Sequence, residues 1–185
     1  MFIELPIEKA FTFIEEGPVT LITTHDGDDD NVMTISWTMA MDYEGHIAIS
    51  TGPWNHSFKT LLETKECVVC IPPVNLMEET VRIGTINGPE NNKFELFNLS
   101  KIPSLKVKAP MIKQCRTGIE CHVIDYIEKH GLIILEPLRV VFNDSLKDAK
   151  IFHAIGDGRF VIDGEVRDHY DIMKKWVPKK ARNCK

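Results

Sequence analysis

The chain has 185 residues, 43% of them hydrophobic, with 22 Lys and Arg against 27 Asp and Glu and a formal charge of -5. That length and apolar content suit one domain, residues 1–185, with one sizeable core, and argue against disorder. The acidic balance argues against a nucleic-acid binder held by phosphate contacts, and no apolar run approaches the ~20 residues that span a bilayer.

The N-terminus carries charges at Glu4, Glu8 and Lys9, where a secretory signal is apolar. The five cysteines, Cys67, Cys70, Cys115, Cys121 and Cys184, are an odd and scattered set. Reduced thiols in a cytoplasm are the expectation from both features.

Pro18-Val19-Thr20-Leu21-Ile22-Thr23-Thr24 reads as a first strand. The acidic run His25-Asp26-Gly27-Asp28-Asp29-Asp30 follows. As a calcium loop it fails, because Asn31 stands where glycine is required and Trp37 where a bidentate acid is required. It is expected to be a polar hairpin turn. The next strand, Asn31-Val32-Met33-Thr34-Ile35-Ser36-Trp37, has period two. Met33, Ile35 and Trp37 are expected on one face, and Val32, Thr34 and Ser36 on the other. The second face is small and largely hydroxylated, so a flat polar ring can approach the backbone N–H groups. An ordinary half-buried strand has the same alternation.

His46-Ile47-Ala48-Ile49-Ser50-Thr51 is a third strand, entered through Glu44-Gly45. It runs through Gly52-Pro53-Trp54-Asn55-His56 into a helix over 58–64 that Ser57 is expected to cap. A helix N-terminus presents unpaired N–H groups and partial positive charge. Ser50, Thr51, Asn55, His56, Ser57 and Lys59 therefore gather where an anion can sit, although a plain capped helix shares the pattern. Cys67-Val68-Val69-Cys70-Ile71 is a strand that stops at Pro72-Pro73. Its two cysteines are an odd step apart and point to opposite faces, so they read as core residues and not as a redox or metal pair. Cys115 and Cys121 lack zinc spacing, and no metal site is expected.

Short helices are expected over 74–83 and 93–97. Between them runs Gly84-Thr85-Ile86-Asn87-Gly88-Pro89-Glu90-Asn91-Asn92-Lys93-Phe94. Lys93 can supply a point charge to a phosphate, or be a solvated lysine. Strands follow over 118–124, 131–135 and 138–142. The extension 143–185 is expected to hold a helix near 147–155, a turn at Gly156-Asp157-Gly158, a helix near 166–176 and a frayed basic tail over 179–185. The pattern is mainly β with short helices, an antiparallel sheet or small barrel. Strand and helix do not alternate, and no Rossmann or P-loop glycine motif is present, so a doubly wound parallel sheet is not expected and a dinucleotide, if used, is not held by a Rossmann unit.

Five segments then fall in a telling order: the strand pair 18–23 and 31–37, the glycine-bracketed loop ending in Lys93-Phe94, Ala109-Pro110-Met111-Ile112, Ile119-Glu120-Cys121-His122-Val123, and His130 ahead of Leu132-Ile133-Ile134. In this order they resemble the flavin reductase-like family of FMN-binding split barrels, which includes flavoredoxin, over about residues 16–139. The resemblance implies a six-stranded antiparallel split β-barrel. It implies an FMN site lined by Asn31, Met33, Thr34, Ile35, Ser36 and Trp37, with Ser57 and Lys93 at the phosphate and His130 and Phe160 near the isoalloxazine ring. Asn87, Asn92, Cys70 and Glu136 depart from the common Ser, Asp, Asn and Gly, and Asn92 removes an acidic neighbour from Lys93.

The function so implied is a flavin-based oxidoreductase that passes hydride or electrons between a donor such as NAD(P)H and a flavin or other acceptor, small molecule or protein. The alternative is an FMN electron carrier with no small-molecule substrate of its own. The resemblance also implies a homodimer with FMN near the subunit interface. No protein general acid or base is assigned. His130 either meets the ring or substrate, or is a hairpin histidine satisfied by backbone.

Overall fold

The computed structural model of the chain describes residues 1–88 and 90–177. The basic tail 179–185, including Cys184, lies outside them. The elements in chain order are β1 (Phe2–Leu5), β2 (Thr20–His25), β3 (Asp30–Ile35), β4 (Thr38–Ala40), β5 (Ile47–Ser50), α1 (Ser57–Thr64), β6 (Glu66–Ile71), α2 (Met77–Ile83), α3 (Lys93–Leu96), β7 (Lys101–Ile102), β8 (Met111–Ile112), β9 (Thr117–Ile127), β10 (Leu132–Asn143), β11 (Phe152–Ala154), β12 (Phe160–Ile162) and α4 (Tyr170–Met173).

The β2–β3 hairpin is closed by its own acidic turn. Asp26 Oδ1 accepts from the N–H groups of Asp28 and Asp29 at 3.0 and 2.8 Å, and Gly27 takes a φ of 112°. These backbone donors hold the Asp26 carboxyl below the usual carboxylate range. From this hairpin an eight-stranded antiparallel sheet grows in the order β3-β2-β6-β9-β10-β5-β4, with β1 added against β10. The strand segments expected from the sequence are all in it as six strands, with 131–135 and 138–142 joined in β10, and the short β1 and β4 extend it. β10 runs unbroken through Pro137. Register shifts lie between Ile134 and Leu135 and between Pro137 and Arg139, where the missing proline N–H disturbs the ladder least. Such bulges bend the strand. Its first half pairs with β5 and its second with β1, and the sheet curls into a split half-barrel.

Both faces of this sheet are covered. The inner core gathers Ile22, Met33, Ile35, Ile49, Cys67, Val69, Ile119, Cys121 and Ile133. The outer core gathers Leu21, Val32, Val68, Cys70, Ile83, Phe94, Ile112 and Cys115 under α2 and α3. Cys67 and Cys70 thus point to opposite faces, as the strand spacing requires, and both are fully buried. Burial on two faces explains why β6 reads as a nearly continuous apolar run.

Three local expectations are corrected. No helix forms over 147–155: a 3-10 turn at Asp144–Leu146 leads into β11. Ile151 and Phe152 are fully buried there, Val19 N–H donates to Phe152 O at 3.1 Å, and strand pairing with β12 demands extended backbone. The glycine turn at 156–158 closes this hairpin, with positive φ at Gly156 and Gly158. Over 166–176 only Tyr170–Met173 is helical. Lastly, the 31–37 run does not alternate to its end. β3 stops at Ile35, Val32 is fully buried in the outer core, and Trp37 is 69% exposed and not beside Met33 and Ile35.

Candidate functional site

β3, the β5–α1 connection and the loop after α2 converge at one end of the sheet. Near the start of β3 is Asn31, half-buried, whose Nδ2 donates to Ser57 Oγ at 2.9 Å. Ser57 was expected to cap α1. It is instead the first helical residue, after His56, and its hydroxyl is buried against β3. The connection before it is self-braced. Asn55 Nδ2 donates to Thr51 Oγ1 at 2.9 Å, Asn55 N–H to Gly52 O at 2.9 Å, and Phe58 N–H to Asn55 O at 3.0 Å.

Lys93 reaches this end from α3. It is 5% exposed, and its Nζ donates to the carbonyls of Val32 and Ile83, each at 3.0 Å. An ammonium has three N–H bonds, so one remains. Desolvation by burial pulls its pKa below the ordinary lysine value. Asn92, which stands in place of an acid, caps α3 by accepting from Glu95 N–H at 3.3 Å.

The loop after α2 closes the third side. Thr34 Oγ1 donates to Thr80 O at 2.5 Å, so the hydroxyl on the outer face of β3 anchors α2. Gly88 sits against the opposite wall. A Cβ there would lie 2.5 Å from His56 Cδ2 and 2.7 Å from Asn31 Nδ2. A larger residue there would push the His56 and Asn31 side chains aside.

Between these walls is a cavity of about 190 Å³. Of the residues nominated from sequence, it brings together Asn31, Met33, Thr34, Asn55, His56, Ser57 and Lys93. No carboxylate is among the described residues lining it, and Lys93 is its cation. The adjoining cavity of about 280 Å³ shares Asn31, His56 and Gly88 but carries Asp26, Asp29, Asp30 and Glu90. There Asp30 is held by His25 Nδ1 at 2.9 Å and Lys101 Nζ at 2.7 Å. The charge pattern therefore separates an anion-accepting chamber from an acidic neighbour.

The remaining nominees lie elsewhere. Ile35 is buried in the inner core, and Ser36 and Trp37 are exposed beyond the end of β3. Ser50 N–H donates to Trp37 O, and Thr51 N–H to Gly131 O, each at 3.0 Å. His130 is exposed on the 3-10 turn Glu128–His130, which Gly131 joins to Thr51. Phe160 packs edge-on against Phe152 at 5.8 Å. That contact lies near Val19, at the end of β2 opposite Thr24, the partner of Asn31. The structure thus does not gather Phe160 with Ser57 and Lys93 within one chain. Trp54, a wall of the cavity at 70% exposure, was not singled out from sequence. Its signal was an aromatic just before a helix start. Among the described residues no cluster of His, Cys, Asp or Glu is fit to hold a metal ion.

Residues 15–169 match the family model described as flavin reductase like domain. An uncharacterised protein of Archaeoglobus fulgidus is 32% identical over 123 residues, covering 65% of this chain and 70% of that one. Among solved structures, the FMN-binding domain of a flavin reductases-like enzyme from Shewanella baltica superposes with a TM-score of 0.83 at 19% identity, over 91% of this chain and 97% of that one. Flavoredoxin of Desulfovibrio vulgaris superposes with a TM-score of 0.74 at 23% identity, over 82% and 89%. At these identities the structural likeness establishes the fold.

Proposed function

The chain belongs to the flavin reductase like domain family, and from that premise we propose that it is an FMN-dependent oxidoreductase. The observation that carries the cofactor is the carboxylate-free chamber where Ser57 Oγ, the start of α1 and the buried Lys93 meet. Its donors suit a phosphate monoester, which needs N–H and O–H donors and positive charge. Asn31 donates to Ser57 Oγ, which leaves the serine proton free to turn toward the phosphate. Lys93 offers its remaining N–H from a position braced by two carbonyls. Gly88 keeps the loop close over both. The names of the solved relatives, an FMN-binding domain and a flavoredoxin, support the same cofactor.

Bound FMN supplies the redox chemistry, taking a hydride or electrons from a donor such as NAD(P)H and yielding them to a flavin or other acceptor. The chain's own groups bind it, orient it and set its potential through backbone donors near Thr34, Ser36 and Trp37. His130 stands exposed at the turn joined to Thr51, open to a ligand or a second subunit. We further propose a homodimer, supported by an exposed apolar edge at Trp37, Met39 and Met41. A cytoplasmic setting fits the four buried free thiols.

The purified protein tests this directly. A yellow chromophore released as one FMN per chain is expected, together with NAD(P)H oxidation when free flavin or another small acceptor is added. Reduction through a protein donor alone makes the chain an electron carrier. Failure to bind added FMN overturns the proposal.

A further inference from the structure

The carboxylate-free chamber and the acidic cavity beside it share a wall. Asn31, His56 and Gly88 line both. At that wall the backbone of Gly88 lies close against the His56 ring and the Asn31 amide, with no room for a Cβ. One layer of side chains therefore parts the two spaces, and charge on one side acts on a ligand held on the other.

The chamber side suits a single anionic group. The buried Lys93 has two N–H bonds committed to the carbonyls of Val32 and Ile83, and its remaining one is free for a ligand. The far side is the reverse. Asp26, Asp29, Asp30 and Glu90 line it, with Lys101 as the lysine among them. Lys101 Nζ is taken by Asp30 Oδ2 at 2.7 Å. Backbone donors keep the Asp26 carboxyl below the usual carboxylate range, so it stays charged at neutral pH. The Asp29 and Glu90 side chains are exposed and make no hydrogen bond or ion pair with the described residues.

The order along the chain sets the direction of any longer ligand. The flavin reading above puts the ring near Thr34, Ser36 and Trp37 and the phosphate at Asn31, Ser57 and Lys93. Continuing past Asn31 along β3 and its turn leads to Asp30 and Asp29. A group esterified to the far side of the phosphate is thus carried toward the acidic cavity.

We propose that this wall makes the chamber selective for FMN over FAD, with Asp29 and Glu90 as selecting residues. The proposal rests on the flavin reading. A phosphate monoester carries about -1.5 to -2 at neutral pH, and all of that charge lies beside Lys93 and Ser57. A dinucleotide shares a similar total between two phosphates. Its first phosphate meets Lys93 with less charge, and its second is set against carboxylates. An attraction is exchanged for a repulsion. The adenine beyond finds no Phe, Tyr or Trp among the described residues lining that cavity.

The test titrates FMN and FAD separately into the full-length chain and reads flavin fluorescence. At low salt FAD is expected to bind at least about tenfold more weakly than FMN. Exposed carboxylates are screened by salt, so rising ionic strength is expected to narrow that ratio. Asp29→Asn with Glu90→Gln is expected to narrow it at least about threefold at low salt, through tighter FAD, with NAD(P)H oxidation at saturating FMN unchanged. FAD binding as tightly as FMN in the wild type overturns the selection and leaves the flavin reading standing. A ratio that neither salt nor the double variant moves places the discrimination in shape and overturns the role of Asp29 and Glu90. Binding of neither flavin overturns both readings. Should the double variant fail to fold, the salt series on the wild type decides: a narrowing ratio supports the proposal and a constant one overturns it.

Discussion

Asn31 Nδ2 donates to Ser57 Oγ across 2.9 Å, and this bond joins the second residue of β3 to the first of α1, 26 positions apart in the chain. The direction of the bond matters as much as its length. An amide nitrogen donates, so the serine keeps its proton for another acceptor. Asn31→Ala loses the brace and is expected to weaken FMN binding about tenfold, the scale of one hydrogen bond. Asn31→Asp is nearly isosteric but accepts the serine proton and adds negative charge beside the phosphate. It is expected to weaken binding further than alanine does. Fluorescence titration of FMN ranks the two, and equal losses would contradict the proton assignment.

Lys93 links the site to the outer core. Lys93→Met keeps much of the buried stem but abandons the carbonyls of Val32 and Ile83. Leaving buried acceptors unpaired costs about 1–3 kcal/mol. A lower urea midpoint and weaker FMN retention are expected together. Ser57→Ala, which strands no charge, is expected to weaken FMN with little change in midpoint.

Glu120 is fully buried and braces the fold far from the site. Its Oε2 accepts from Leu105 and Lys106 N–H at 3.0 and 2.6 Å, and its Oε1 from Arg139 at 2.6 Å. Glu120→Ala leaves a partly buried guanidinium and two N–H groups without this acceptor, and is expected to cost about 3–5 kcal/mol. For a chain of this size that lowers Tm by roughly 2–4 °C per kcal/mol. Glu120→Gln, which keeps the shape, is expected to cost less.

His153 faces an acceptor on each ring nitrogen, Asp163 at 2.7 Å and Gly17 O at 3.2 Å, so both are satisfied only by the imidazolium. Burial alone would lower its pKa. The hydrogen bonds to Asp163 and Gly17, with the charges of Asp163 and Glu16, outweigh burial and raise it above the ordinary histidine value. A raised folded value binds the proton more tightly in the native state. The stabilisation is therefore complete below the unfolded value and is lost as pH rises through the folded one. Amide exchange at the β11–β12 hairpin is expected to quicken across that window, and His153→Gln to abolish the dependence.

Cys67 pairs in register with Cys121, while Cys70 lies against Cys115 in the other core. Burial, with the neighbouring thiol in each pair, pushes Cys115 and Cys121 well above the ordinary thiol value. Thiolates are the reactive form. A thiol reagent is expected to label none of these four residues until denaturant is added, and Cys67→Ala with Cys70→Ala to retain NAD(P)H oxidation.

Much of the fold was legible because strand signals here are local. Asp26 and Gly27 announce the first hairpin, Pro72-Pro73 ends β6, and the glycines at 156 and 158 mark the last turn. Where local preference met tertiary demand, it lost. Residues 147–155 have helical character, yet Ile151 and Phe152 fill the core and their backbone is claimed by Val19 and β12. Val32 looked like part of a ligand face because alternation cannot tell an exposed second face from one that α2 and α3 cover.

By itself the sequence determined an antiparallel β domain and the opposite orientations of Cys67 and Cys70, because these follow from strand period, while the nomination of Asn31, Ser57 and Lys93 came from the family resemblance. Tertiary structure alone decided which groups share a chamber. It turned Lys93 inward onto two carbonyls, handed the Ser57 hydroxyl to Asn31 in place of a cap, and set Phe160 at the far end of β2. Such outcomes depend on contacts between residues tens of positions apart, where packing and the pairing of buried polar groups outweigh any preference written into a short stretch of chain.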